Sequence, residues 1–169
     1  MIRYLAPAVL ASLLLPQVAR AEPLRLDTFF KGSLDGTGSV DNNRESTHRE
    51  FKATMKANWD GPRGTLIEDL LYTDGEKKHI VWTFEKTADG RLVGHRDDLI
   101  GEAAISQEGD TIRMKYTAKT RLPTGKIWTL SFDDRLEQIS PTTVTMTGDV
   151  SYLFIGVGTT RMTIVKSGH

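Results

Sequence analysis

Three pairs of adjacent carboxylates mark this chain: Glu68-Asp69, Asp97-Asp98 and Asp133-Asp134. Neighbouring residues on a strand point to opposite faces, so each pair offers one carboxylate to an interior. Glu68, Asp98 and Asp134 are the three that could converge there. Such a set could hold a hard cation or exchange protons with a substrate. The plainer reading puts Asp97, Asp98, Asp133 and Asp134 at strand ends, where they cap turns and pair with Arg96 or Arg135. The dense oxygen spacing of a calcium loop is absent, and no metal or other cofactor is expected.

Other chemistries find less support. There is no cysteine, which excludes disulfides, thiolate catalysis and cysteine-bound metal. The histidines are His48, His79, His95 and His169, and no two have the i, i+4 spacing of a helical metal site. His79 and His95 could meet only across adjacent strands. His95-Arg96-Asp97 opens like a kinase catalytic loop but lacks the following Asn and any phosphate-cradling loop. Gly32, Gly36 and Gly38 are not framed by a strand and a helix, so they make no dinucleotide fingerprint. No Gly-x-Ser-x-Gly elbow occurs, and nucleophilic catalysis has little to rest on.

The aromatic residues suggest a different use. Trp59, Tyr72, Trp82, Tyr116 and Trp128 occupy strand faces that could line a cavity, and Glu68 shares its face with Leu66, Leu70 and Tyr72. A mostly apolar pocket with a few polar groups is the usual form of a small-molecule site. In that reading Trp82, Tyr116 and Trp128 are walls, while Glu68, Tyr72 and Asp98 fix a polar end. The bland alternative is that the rings fill a solid core and Glu68 pairs with a Lys or Arg.

The elements that must position these residues are strands. Phe51 to Trp59 alternates cleanly, with Phe51, Ala53, Met55, Ala57 and Trp59 on one face. Thr65 to Tyr72, Lys77 to Lys86, Leu92 to His95, Glu102 to Ser106, Thr111 to Leu122, Lys126 to Leu136, Thr142 to Val150 and Ile155 to Lys166 follow suit. In the last run Val157, Thr159, Arg161, Thr163 and Val165 share a face. Arg96 to Gly101 reads as a polar bend. Asp60-Gly61, Asp74-Gly75, Asp89-Gly90, Gly109-Asp110 and Pro123-Thr124-Gly125 are turn signals. Leu24, Leu26, Phe29 and Phe30 suit a short helical turn or plug. The spacing predicts an all-β, antiparallel, up-and-down barrel of about 8–10 strands.

The chain has 169 residues. Met1-Ile2-Arg3, the apolar Tyr4 to Val18 and Ala19-Arg20-Ala21 form a secretory signal pattern, with cleavage expected after Ala21. The expected domains are therefore a signal peptide at 1–21 and one barrel at 22–169. Its 22 basic and 22 acidic residues balance, and losing Arg3 and Arg20 with the leader tips the remainder slightly acidic. That charge gives no reason to bind nucleic acid. No later run is apolar and long enough to span a membrane. Without a cysteine to lipidate, the expected location is periplasmic or secreted and unanchored.

Several short motifs, in order, carry a resemblance. They are Phe29-Phe30-Lys31-Gly32, Trp59-Asp60-Gly61, Glu68-Asp69, Tyr72-Thr73-Asp74-Gly75-Glu76, Ala88-Asp89-Gly90, Gly101-Glu102-Ala103 and Phe132-Asp133-Asp134. Together they resemble the bacterial envelope family known as domain of unknown function 3833. The resemblance implies a lipocalin-like (calycin-type) barrel and an envelope location, and brings no activity with it. Two departures stand out: there is no lipoprotein cysteine, and Arg135-Leu136 follows the double Asp where the family usually has an aromatic. The expected function is binding of an apolar or amphipathic small molecule, such as a lipid or fatty acyl group. The alternatives are a carboxylate-based hydrolase or isomerase, and an envelope assembly factor that binds partners through an exposed sheet edge. Oligomeric state is not legible.

Overall fold

The structure, a computed structural model, describes residues 23–122 and 125–168. The expected signal peptide, Pro123-Thr124 of one turn, and His169 lie outside the described residues. A short helix, α1 (Leu26–Phe29), precedes ten strands. These are β1 (Gly32–Asn42), β2 (Thr47–Asp60), β3 (Arg63–Tyr72), β4 (Lys77–Lys86) and β5 (Leu92–His95). They continue as β6 (Ala103–Glu108), β7 (Thr111–Arg121), β8 (Ile127–Ser140), β9 (Thr143–Tyr152) and β10 (Ile155–Lys166). Each strand pairs antiparallel with its successor, and β10 returns to β1 to close the barrel. That closing ladder runs from Leu34 opposite Lys166 to Asn42 opposite Gly158. No helix among the described residues is long and apolar enough to cross a membrane.

Alternation in the sequence becomes inside and outside in the barrel. On β2, Phe51, Ala53, Met55 and Ala57 are buried while Lys52, Thr54, Lys56 and Asn58 face water. The last strand departs from its expected phase. A register shift between Gly156 and Gly158 lets Val157 turn inward, and Gly158, Thr160, Met162 and Ile164 then follow on the inner face. Thr159, Arg161, Thr163 and Val165 therefore lie on the opposite face from Val157. Asp133 and Asp134 are likewise not at a strand end. They sit in the middle of the 14-residue β8.

One end of the barrel is corked. Leu24, Leu26, Phe29 and Phe30 are almost fully buried and belong to the main apolar core. Three strand ends hold the cork through its backbone carbonyls. The Trp59 indole N–H donates to Phe30 O at 2.8 Å, the Gln107 amide to Leu24 O, and Lys166 Nζ to Thr28 O at 3.3 Å. Nearer the other end, inward side chains keep partial contact with solvent: Val40, Leu70, Ile80, Met146 and Met162 are half-buried. A face that points inward and still meets water lines a hollow. The interior is thus packed below and open above, a cup on a plugged base.

The cork's attachment is testable. Trp59→Phe keeps a ring beside Phe84 but leaves the Phe30 carbonyl unpaired. Urea unfolding should show a loss of about 1 kcal/mol; an unchanged midpoint would show that the bond carries no net stability.

Candidate functional site

The cup's polar groups come from four strands and one connecting segment. β3 contributes Glu68, β4 Trp82, β7 Tyr116 and β8 Asp134, each from an inward position. The fifth group, Arg96, comes from just past β5. That strand is only four residues long, and the Arg96–Gly101 segment takes over as wall. Leu99 bridges to Ala118, and the Ile100 amide donates to Thr117 O at 2.8 Å. Arg96 continues the inward phase of Leu92 and Gly94, so its side chain turns into the cup.

Arg96 is the organising cation. Its guanidinium lies 4.6 Å from the centre of the Trp82 ring and 5.3 Å from that of Tyr116, within cation–π range. Nε bonds Asp98 Oδ1 at 2.5 Å and Nη2 bonds Asp98 Oδ2 at 3.1 Å. Only 14% of the Arg96 side chain is exposed, against 40% for Asp98. Asp98 is thus a rim residue that steadies the arginine. Deeper in, the Tyr116 hydroxyl donates to Asp134 Oδ2 at 2.9 Å. Trp82 and Tyr116 meet edge to face at 5.2 Å, and Tyr116 stacks on Phe132 at 4.8 Å.

Both interior carboxyls hold protons unusually well. Burial pushes Glu68 from 4.5 up to about 7; Arg96 opposes this, Asp134 reinforces it, and a hydrogen bond from Trp82 opposes it. Burial also raises Asp134 from 3.8 to about 6, against the pull of the Tyr116 hydroxyl and Arg96. The Tyr116 phenol is held well above its ordinary range by burial and by Asp134. Glu68 is enclosed by protein yet only partly inaccessible to water, as expected of a side chain facing the hollow.

Space for Asp134 depends on a glycine. Gly148 lies opposite it on β9, and a Cβ there would collide with Asp134 Oδ1. The outward member of the pair, Asp133, has a different role. It is gripped by Arg113 at 2.6 Å and by Lys115 at 3.5 Å.

The sequence-derived candidates therefore separate. Glu68, Trp82 and Tyr116 gather around Arg96, with Asp98 at the rim. Tyr72 lies elsewhere, tilted against Phe51 at 5.4 Å and covered by Arg49 at 4.2 Å. Trp128 lies near the mouth, stacked on Tyr152 at 4.5 Å beside a second apolar cluster of Leu130, Val150 and Val157. His79 and His95 do not meet: His79 bonds Asp69 at 2.7 Å, and His95 pairs with Thr83. Among the described residues no three His, Cys, Asp or Glu side chains are placed to hold a metal. Sequence reasoning named Arg96 as a partner for Asp97-Asp98, which the bonds to Asp98 bear out, but did not place it in the interior. The signal was present, since Leu92, Gly94 and Arg96 alternate straight through the end of the short strand. A groove of about 970 Å³ lies elsewhere, lined by Thr37, Lys52, Tyr72, Met146, Arg161 and Met162 among others.

A closed up-and-down barrel, corked at one end and polar in the depth of its cup, defines a lipocalin-like, calycin-type protein. The family follows from the sequence as a whole. Residues 12–166 match the profile of the DUF3833 family, described as proteins of unknown function, and the chain belongs to it. Among curated proteins none matches. Two solved structures share the fold at low identity. The S-type phycobiliprotein lyase CPES from Guillardia theta has a TM-score of 0.61 and 12% identity, over 82% of this chain and 89% of that one. Rv2717c from M. tuberculosis has a TM-score of 0.55 and 15% identity, over 83% of this chain and 94% of that one.

The raised carboxyls make stability depend on pH. Between a group's unfolded and folded values the native chain holds a proton that the unfolded chain has lost, so stability falls as pH rises. For Glu68 that window is 4.5 to about 7, and for Asp134 it is 3.8 to about 6. Glu68→Gln should therefore stabilise the protein by about 1–3 kcal/mol at pH 8, with water in the cup trimming the effect. At pH 4 it should do almost nothing. Denaturant melts at the two pH values check this; equal effects at both would mean that Glu68 ionises freely in the fold. Gly148→Ala should cost about 1–3 kcal/mol by dislodging Asp134 from Tyr116, read in the same melts.

Proposed function

We propose that the cup binds an amphipathic small molecule, polar end down against Arg96 and apolar body toward the mouth. The observation that carries this is the placement of Arg96. A guanidinium is held between two aromatic rings in the hollow, beside Glu68 and Asp134, in an otherwise apolar lining. An acyl carboxylate is the head group that this set suits best. It accepts hydrogen bonds from Arg96, while Glu68, raised to about 7, is a donor rather than a repelling charge below that pH. The upper lining fits a flexible tail. The half-buried Met146 and Met162 face inward, and thioether side chains adapt to irregular apolar shapes.

The same reading takes the first 21 residues as a leader and the remainder as one domain working in the periplasm or beyond the cell. The lyase named above shares only the fold. A second reading also has an observation behind it. Two carboxyls held near 7 and 6 beside an arginine and a tyrosine are poised for proton transfer, as a hydrolase or isomerase requires. The partner-binding reading is left with one stretch of edge, the part of β4 before Thr83 that the short β5 does not pair with.

The test is titration of the purified protein with a fluorescent long-chain fatty acid, alongside native mass spectrometry for a guest carried from the cell. Arg96→Met should weaken binding roughly tenfold, the scale of a lost charged hydrogen bond, in protein that circular dichroism shows to be folded. Trp82→Ala should weaken it as well. Wild-type affinity in a folded Arg96→Met variant would refute the orientation. Ester turnover that vanishes in Glu68→Gln would favour the catalytic reading.

A further inference from the structure

The β9–β10 hairpin stands at the open end of the barrel, and its tip breaks the usual rules. Leu153, Phe154 and Ile155 are exposed, Phe154 completely at 102%. Leu153 and Phe154 also sit at positive φ, 48° and 68°. A two-residue turn with positive φ at both centres favours Asn-Gly. A Leu-Phe pair there accepts backbone strain in order to hold two large apolar groups in water. Strain retained against solubility is a pointer to function.

The surroundings of the tip are those of a lipid interface. At its base Trp128 stacks on Tyr152, and Arg44 lies 5.4 Å above the Trp128 ring. Ile127, 58% exposed, begins the neighbouring strand opposite Arg121. Arg44, Arg121 and Lys126 share this rim and join no ion pair among the described residues. The one carboxylate of the adjoining turn, Glu45, is turned toward Asn42. Apolar tips below a belt of Trp and Tyr, flanked by cations, match a bilayer with anionic head groups. A protein partner fits less well. Three side chains fall far short of the roughly 800 Å² per partner that a stable protein interface buries.

We propose that the open rim docks on an anionic membrane surface, with Phe154 and its neighbours inserted among the acyl chains and Arg44, Arg121 and Lys126 against the head groups. The mouth of the cup then faces the bilayer, so an amphipathic molecule passes between the two without crossing water. Docking itself does not require the ligand reading.

The test is co-sedimentation of the full chain, produced with its leader, with vesicles of phosphatidylcholine alone or mixed equally with phosphatidylglycerol. Wild type should pellet with the mixed vesicles, and added salt should weaken this. Phe154→Asp should reduce the bound fraction roughly tenfold or more, the scale of one buried aromatic side chain. Its thermal midpoint should hold, because the side chain is fully exposed, and it should still take up the fluorescent fatty acid from solution. Lys126→Glu should weaken binding to the mixed vesicles alone. Equal pelleting of wild type and Phe154→Asp would overturn the proposal, as would wild type that ignores both vesicle types. A dimer that Phe154→Asp dissociates, without vesicle binding, would overturn it in favour of self-association.

Discussion

Pairing of β1 with β10 is the constraint on which everything else rests. Closure turns ten alternating strands into a wall with one inner face, and fixes which residue of each adjacent pair looks inward. Glu68 rather than Asp69 enters the cup, and Asp134 rather than Asp133. A slip of one residue at the closing seam would put Met162 and Ile164 in water and bring Arg161 and Thr163 inside. The polar cluster is therefore a property of the whole ring and not of any local segment.

The cluster also shows how a fold tolerates charge in its interior. An isolated buried carboxylate is costly, and two of them near each other more so. Here the cost is met by neutralisation and by partners. Glu68 and Asp134 keep their protons more readily than usual, Tyr116 donates to Asp134, and Arg96 places one positive charge between them and the rim. Asp98 in turn anchors Arg96 from the wet side. Contact with water from the mouth moderates the remainder. An apolar core of the same volume would be simpler, and the retained polarity is the ground on which a guest is proposed.

Much of this was legible in the sequence. Strand alternation gave nine of the ten strands in order, all but the glycine-rich β1, and Leu24, Leu26, Phe29 and Phe30 announced a plug. Glu68, Trp82 and Tyr116 could be chosen because their faces were readable from parity. Tyr72 and Trp128 share that parity but lie toward the barrel's open end, and parity carries no information about height along the axis. The inward placement of Arg96 was missed for a complementary reason. β5 is short, and a polar run after a short strand looks like a loop even when it continues the wall. The phase of β10 was hidden by a bulge, whose extra residue reverses inside and outside with no composition signal beyond Gly156 and Gly158.

The closing seam has a consequence for how the chain folds. Every other ladder joins strands that are neighbours in sequence, so each can form as a hairpin soon after it is made. β1 alone must wait for β10, more than a hundred positions later, and meanwhile carries an open edge. Its composition suits the delay. Gly36, Gly38, Asp35 and Asp41 are poor recruits for a stray strand. The cork completes only when the end of β10 brings Lys166 to the Thr28 carbonyl. The first residues of the barrel are thus among the last to be secured, and folding ends where the domain begins.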